Sequence, residues 1–429
     1  MNFKELGLSK SLLEVVEKQN YIEPTLIQQL AIPHILNNVD IMGVAQTGTG
    51  KTAAFSLPIL EKLYQENNPN QKIKVLILSP TRELALQIRD NIRNFSSDSN
   101  FKCSVILGGV NQNSQIEVLK KGVDILVATP GRLLDLVKRK YANLSNVKML
   151  VLDEADTMLD MGFINDVRQI VSKIPSNRQT MLFSATMPKE IKELANEFLK
   201  NPVIVTATPL LTTVPKIKQL LYYVDKNNKF NLLLELLKKE TVKSTLIFTR
   251  TKRGANKLGD QLRECNINVS VIHGNKSQND RIRNLSDFKT GKTNIMVATD
   301  IAARGIDINE LSHVINYDMP EKAEIYVHRI GRTARAGHEG ISISLCSIDE
   351  KKNLKAIENL IKQQLEVVTN HNYPMIVTKE EVKTVIKPNF SNRKISKENK
   401  PYVKNTTYRK KSVFNKTTTK TFRHRNSGK

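Results

Sequence analysis

Cysteine is scarce in this chain: three in 429 residues, at Cys103, Cys265 and Cys346, which lie far apart and show no metal spacing. They read as small buried hydrophobes in a reducing compartment. Long apolar runs are missing too, and none approaches the roughly 20 residues of a membrane span. The opening Met1-Asn2-Phe3-Lys4-Glu5-Leu6 has no signal-peptide core, so a cytoplasmic location without a membrane partner is expected. Acid is in short supply, with 42 Asp and Glu against 66 Lys and Arg and a net charge of +24. Such an excess calls for an anionic partner, and with the membrane set aside that partner is nucleic acid. The length exceeds one ordinary core and implies two domains with additions.

The imbalance is concentrated at one end. From His371 to Lys429 there are 16 Lys and Arg against 3 Asp and Glu, so +13 of the +24 falls in 59 residues. This stretch has little apolar periodicity and many Asn, Thr and Ser, and it reads as disordered.

What the sequence does contain is organised around Ala45-Gln46-Thr47-Gly48-Thr49-Gly50-Lys51-Thr52. An apolar run, Ile41-Met42-Gly43-Val44, precedes it and a helix-forming stretch follows. Strand, glycine loop and helix in that order let backbone N–H groups wrap a triphosphate at the positive end of a helix. Lys51 supplies a point charge for the β- and γ-phosphates, and the Thr52 hydroxyl can ligand Mg²⁺. The usual pattern opens with Gly, where this chain has Ala45. Alone, the motif also fits an ordinary glycine-rich turn.

Apolar runs alternate with helical stretches through the rest of the chain, the mark of a parallel α/β sheet. Strands are predicted at 73–79, 103–107, 124–128, 148–152 and 179–183, then at 244–248, 268–272, 294–298, 312–316 and 340–345. Three pairs recur in order about 166–170 residues apart, as if one α/β unit were used twice. Leu76-Ile77-Leu78 matches Leu246-Ile247-Phe248, Ser104-Val105-Ile106 matches Ser270-Val271-Ile272, and Val127-Ala128-Thr129 matches Val297-Ala298-Thr299. The halves join at the proline-bracketed Thr208–Pro215. Only the first half has a Gly-Lys-Thr loop, which suggests one nucleotide held between two like domains.

The run Met149-Leu150-Val151-Leu152 ends in Asp153-Glu154-Ala155-Asp156. The carboxyl end of a buried parallel strand is where an open α/β sheet places its ligand chemistry. Asp153 can hold Mg²⁺ through water while Glu154 orients or deprotonates the attacking water. An acidic helix start stabilised by the helix dipole is the plainer alternative.

Six stretches together resemble the DEAD-box RNA helicases: Tyr21-Ile22-Glu23-Pro24-Thr25-Leu26-Ile27-Gln28, the loop at 45–52, Asp153–Asp156, Ser184-Ala185-Thr186, Ala298–Asp307 and His328–Arg335. The likeness runs from about residue 3 to 345, with the motifs in family order, and is greatest to the RhlE-type bacterial subgroup. It implies two tandem RecA-like parallel-sheet domains and a disordered basic tail: an adenine-recognition segment at 1–36, an ATP-binding domain at 37–207, a linker at 208–216, a C-terminal domain at 217–368 and the tail at 369–429.

The resemblance also implies roles. Gln28 reads the adenine edge, Tyr21 stacks on the base and Phe3 supports it. Asn20 replaces the family's usual Gly, a change tolerated because Asn adopts left-handed angles. Arg332 and Arg335 act as arginine fingers on the γ-phosphate, and Asp307 binds the ribose or orders the closed cleft. Asp156, Ser184, Thr186, His328 and Arg329 couple nucleotide state to unwinding. RNA is contacted by Thr81, Arg82, Gly109, Thr129, Pro130, Gly131 and Arg132 in the first domain. In the second the contacts are Arg250, Gln278, Arg281, Thr299, Asp300, Arg304 and Gly305. Hydroxyls, glycines and arginines without an aromatic row suit phosphate and 2′-OH contacts, hence sequence-independent binding. In the tail, Tyr402, Tyr408, Phe414 and Phe422 alternate with Arg409-Lys410-Lys411 and Arg423-His424-Arg425, which suits an RNA tether; a solubilising end is the alternative.

The expected activity is RNA-stimulated ATP hydrolysis coupled to local opening of short duplexes. The competing reading is an ATP-gated RNA clamp or annealing factor. A DNA translocase is disfavoured because the RNA-contact motifs match the RNA-specific family.

Overall fold

The computed structural model describes residues 2–46, 48–66, 72–96, 100–207, 217–238, 243–303, 308, 311–333 and 340–376. The linker, most of the tail, Thr47, Arg304, Gly305, Asp307 and Arg335 therefore lie outside the described residues.

Two seven-stranded parallel sheets form the body. The first comprises β1 Ile41–Val44, β2 Val75–Leu78, β3 Cys103–Ile106, β4 Ile125–Ala128, β5 Met149–Leu152, β6 Gln179–Ser184 and β7 Val203–Thr206. The second comprises β8 Ile217–Tyr223, β9 Thr245–Thr249, β10 Val269–Ile272, β11 Ile295–Thr299, β12 His313–Asn316, β13 Gly340–Cys346 and β14 Glu366–Val367. Their spatial orders, β3-β4-β2-β5-β6-β1-β7 and β10-β11-β9-β12-β13-β8-β14, are one order repeated. The three recurring pairs in the sequence fall on equivalent strands: β2 with β9, β3 with β10, and β4 with β11.

The central strands are short apolar runs buried on both faces, as helices on either side of a parallel sheet require. Each face has its own core. In the first domain Ile77, Val127 and Val151 point into one cluster, while Leu76, Leu126 and Leu150 point into the other. Helices after equivalent strands start alike, Thr81 Oγ1 accepting from Leu84 N at 3.3 Å and Thr251 Oγ1 from Gly254 N at 2.9 Å.

Three strands escape the apolar-run reading. β7 is an edge strand with mostly partial or full exposure, β8 alternates, and β14 spans two residues. Cys103 and Cys346 are buried, but Cys265 is exposed where the helix Lys252–Glu264 ends. Among the described residues no three His, Cys, Asp or Glu converge as a metal cluster, and no helix is long and apolar enough to cross a membrane.

Candidate functional site

In a parallel sheet every loop at the carboxyl ends of the strands opens on the same side, so the singled-out loops of the first domain share one rim. The phosphate-loop candidate leaves β1 and turns into the helix Lys51–Glu66. Gly50 sits at φ +91°, where a side chain is strained, and a Cβ there would meet Gln28 Nε2 at 2.4 Å. Lys51 is buried, and its ammonium donates to the Ala45 carbonyl at 2.9 Å. Thr49 Oγ1 donates to Gln46 O at 2.7 Å, while Thr52 is half-buried in the first helical turn.

Gln28 lies against this loop from the adjoining segment. Its Oε1 accepts from Thr25 N at 2.9 Å, closing a capping box on the helix Leu26–Leu36, and its Nε2 donates to Gly50 O at 3.1 Å. A single amide thereby joins the N-terminal segment to the phosphate loop. Tyr21 packs edge-on to Phe3 and Phe95, with ring centroids 6.4 and 5.5 Å away. Asn20 before it has φ 58°, a backbone angle Asn tolerates.

β5 delivers the carboxylates. Asp153 is buried, and its Oδ1 accepts from Glu154 N at 3.0 Å. Burial pushes its pKa up to about 7 against the pull of the Lys51 ammonium, with Glu154 and Asp156 adding repulsion. A desolvated carboxylate of this kind fits a divalent cation, and hard oxygen donors such as Asp153 and Thr52 fit Mg²⁺. Glu154 is also buried and adopts the left-handed region at φ 51°, the kind of strain that gathers at functional sites. Asp156 turns away to β6: its Oδ2 accepts from Ala185 N at 3.1 Å, Thr186 N at 3.0 Å and Thr186 Oγ1 at 3.0 Å. The Ser184 hydroxyl instead donates to Thr186 O at 2.7 Å, so it shapes that loop without touching Asp156.

In the second domain the helix Ala323–Ile330 carries His328 and Arg329, and Arg332 follows it. Arg329 is fully buried. Its Nη2 donates to Asp300 Oδ2 at 2.9 Å and its Nε to Oδ1, its Nη1 reaches Asn316 Oδ1 at 3.0 Å and Asp318 O at 2.7 Å, and its guanidinium lies 4.8 Å from the Phe248 ring centroid. Buried Arg332 lines a small void together with His328, Arg329 and Asp300. Thr299 ends β11 and Asp300 opens the short helix Asp300–Ala303 after it, so Arg329 ties the carboxyl end of β11 to the helix leading to Arg332.

Several residues assigned to RNA meet each other across the cleft. Arg82 Nη1 donates to Gln278 Oε1 at 3.1 Å, Gln278 Nε2 to Glu83 Oε1 at 3.3 Å, and Arg281 Nη2 to Glu83 Oε2 at 2.7 Å in a buried ion pair. A Cβ on Gly109 would lie 2.3 Å from the Arg82 guanidinium. The Thr129 hydroxyl accepts from Gly108 N at 3.3 Å, Pro130 opens the following helix, and Arg132 Nη1 donates to Val110 O at 3.2 Å, so Gly109, Thr129, Pro130, Gly131 and Arg132 form one patch. Arg250 stands apart, its Nη2 bonded to Glu350 at 3.0 Å.

The sequence from 25 to 194 matches the family model described as DEAD/DEAH box helicase, and 228–337 matches the helicase conserved C-terminal domain. The chain is 44% identical over 366 residues to the DEAD-box ATP-dependent RNA helicase CshA of Streptococcus pneumoniae, covering 85% of this chain and 69% of that one. The chain belongs to the DEAD-box RNA helicase family.

Solved structures add a conformational comparison. S. cerevisiae Dbp5 L327V bound to RNA and ADP BeF3 matches with a TM-score of 0.77 and 32% identity, over 90% of this chain and 98% of that one. The same variant bound to nup159, gle1, ip6 and adp scores 0.58 at 31% identity, over 89% and 98%. The arrangement of the two domains here is thus nearer the RNA complex.

Glu350, Asp160 and Lys322 were not singled out by sequence, and Glu83 was marked only as part of the RNA-contact stretch 80–85 that the family resemblance implies, without its partner Arg281. Glu350 had a signal, since Ser347-Ile348-Asp349-Glu350 spells the capping box found here. The ion pair of Lys322 with Asp160, 3.0 Å across the cleft, had none.

Proposed function

We propose that this DEAD-box protein couples ATP hydrolysis to local, non-processive opening of short RNA duplexes and to remodelling of RNA–protein complexes. The observation that carries the reading is the cleft: a buried Glu83–Arg281 pair ties the domains together beside the RNA-contact candidates, while the phosphate loop and carboxylates lie on the first domain's rim. The likeness to the RNA-bound Dbp5 arrangement supports it.

In this reading Gly48, Gly50, Lys51 and neighbouring amides bind the triphosphate, and Tyr21 and Gln28 select adenine. Asp153 and Thr52 would hold Mg²⁺, which would supply charge neutralisation on the phosphates when bound. Glu154 receives a proton from the attacking water. Arg332 and Arg335 stabilise charge developing on the γ-phosphate, an effect worth roughly 10³–10⁵ in rate in related phosphoryl transfers. Because the arginines belong to the second domain, hydrolysis waits for closure, and RNA held by both domains favours closure. Contacts to phosphate and 2′-OH make binding largely independent of sequence.

Strand release from a short RNA duplex under ATP tests the activity. Glu154→Gln is expected to bind ATP and RNA, hydrolyse at least about 10²-fold more slowly and release no strands. Rapid turnover in that variant, or strand retention without release in the wild type, contradicts the reading.

A further inference from the structure

A basic stripe leaves the cleft along the outer edge of the first domain. On the helix Arg82–Phe95, Arg82, Arg89 and Arg93 are separated by seven and four residues, which brings all three to one side. The core-facing side of that helix is apolar, with Leu84, Ala85, Ile88, Ile92 and Phe95, and Glu83 is buried in its pair with Arg281. The stripe spans about 16 Å. It starts where Arg82 crowds Gly109, at the carboxyl end of edge strand β3, and ends where Arg93 Nη2 donates to Cys103 O at 3.1 Å, at that strand's start. Asp90 pairs with Arg89 at 2.7 Å and offsets part of its charge.

At the far end of the stripe lies an open cavity of about 460 Å³, lined by Arg93, Ser96, Lys102, Lys121 and the backbone around Gly122, with Phe101 on its wall. Among the described residues no acidic side chain lines it, and Lys102 and Lys121 are exposed. It sits at the end of the sheet opposite the phosphate loop, so the nucleotide chemistry does not account for it.

We propose that this edge carries the phosphodiester backbone of RNA flanking the segment gripped in the cleft, with Lys102 and Lys121 as its outer anchor. The inference rests on the cleft binding RNA. Fixed cations spaced along a ridge suit a backbone polyanion, each neutralised phosphate releasing counterions regardless of base sequence. The stripe's junction with Arg82 makes the flank continuous with the gripped strand.

The test compares full-length wild type with Lys102→Glu/Lys121→Glu, both surface changes outside the catalytic and cleft residues. Binding is measured for an oligouridylate of about 8 nucleotides and for ones extended to about 20 nucleotides at either end. The wild type is expected to prefer one extended strand. In the variant that preference falls about tenfold and the salt slope for the extended strand drops by about 1.4, two contacts at about 0.7 each. Binding of the short strand and its stimulation of ATPase stay unchanged. An extended-strand preference retained in the variant overturns the proposal while leaving the cleft reading intact. Absence of RNA binding in the wild type overturns both.

Discussion

The two sheets share one strand order, yet equivalent positions have opposite electrostatic fates. Lys51 and Lys229 are each the first residue of the helix after the first strand of their domain. Lys51 rests on a backbone carbonyl and faces Asp153, leaving a loop of glycines and amides for an anion. Lys229 is sealed: its ammonium donates to Glu350 at 2.6 Å and to Tyr317 O at 2.7 Å. Glu350 in turn also accepts from Arg250, Met319 N, Ser347 N and the Ser347 hydroxyl. The same fold holds an electrically open site in one half and a self-neutralised one in the other. The second half's equivalent lysine is thereby not available to an anion.

Breaking the sealed half has the largest expected effect. Glu350→Gln leaves Lys229 buried without its carboxylate and is expected to cost about 3–5 kcal/mol of unfolding free energy, read by denaturant titration. A loss under about 1 kcal/mol contradicts the sealing argument.

The two ion pairs spanning the cleft provide the next contrast. Glu83→Ala strands Arg281 only when the domains meet, so its cost falls on closure and RNA-stimulated ATP turnover is expected to drop about 10²-fold or more. Basal folding, followed by thermal unfolding without ligands, changes little.

Opening the comparison from the other side, Asp153→Asn is expected to stabilise. The folded pKa of about 7 lies above the ordinary 3.8, so folding favours the protonated acid. That contribution is complete below pH 3.8 and is lost as pH rises through about 7. At pH 8 the substitution removes a buried charge and raises stability by about 2–4 kcal/mol; near pH 4 the gain vanishes. Thermal unfolding across that range, without nucleotide or Mg²⁺, measures it. A gain independent of pH assigns the effect to something other than the carboxylate's charge.

The smallest effect belongs to the exposed pair of Lys322 and Asp160, where Lys322→Glu is expected to shift RNA-stimulated turnover by less than about fivefold. A loss as large as that of Glu83→Ala erases the distinction between the pairs.

Much of this was legible in the sequence. Strands buried on both faces are written as unbroken apolar runs, so ten were placed within a few residues of where they lie, and the repeat was visible through the two equivalent strand sets. β7 and β14 escaped because an edge strand needs less apolar character, and β8 because it alternates. Lys51 stood out by the glycine loop and Asp153 by the apolar strand before it, whereas Gln28 was marked only through the family resemblance. That Gln28 would tie its amide to Gly50 O was not legible, nor was the meeting of Glu83 with Arg281, because both depend on segments brought together by the fold from 22 and 198 residues apart.

In the proposed function Lys51 and Arg332, one from each half, act on a single triphosphate. A double-mutant cycle on RNA-stimulated ATP turnover, using Lys51→Ala, Arg332→Ala and the pair combined, tests it most directly. Parts of one catalytic unit are strongly non-additive: each single change is expected to cost about 10²-fold or more, and the double variant about as much as the worse single. Arg332→Ala within about twofold of wild type, or losses that simply multiply, would contradict the account.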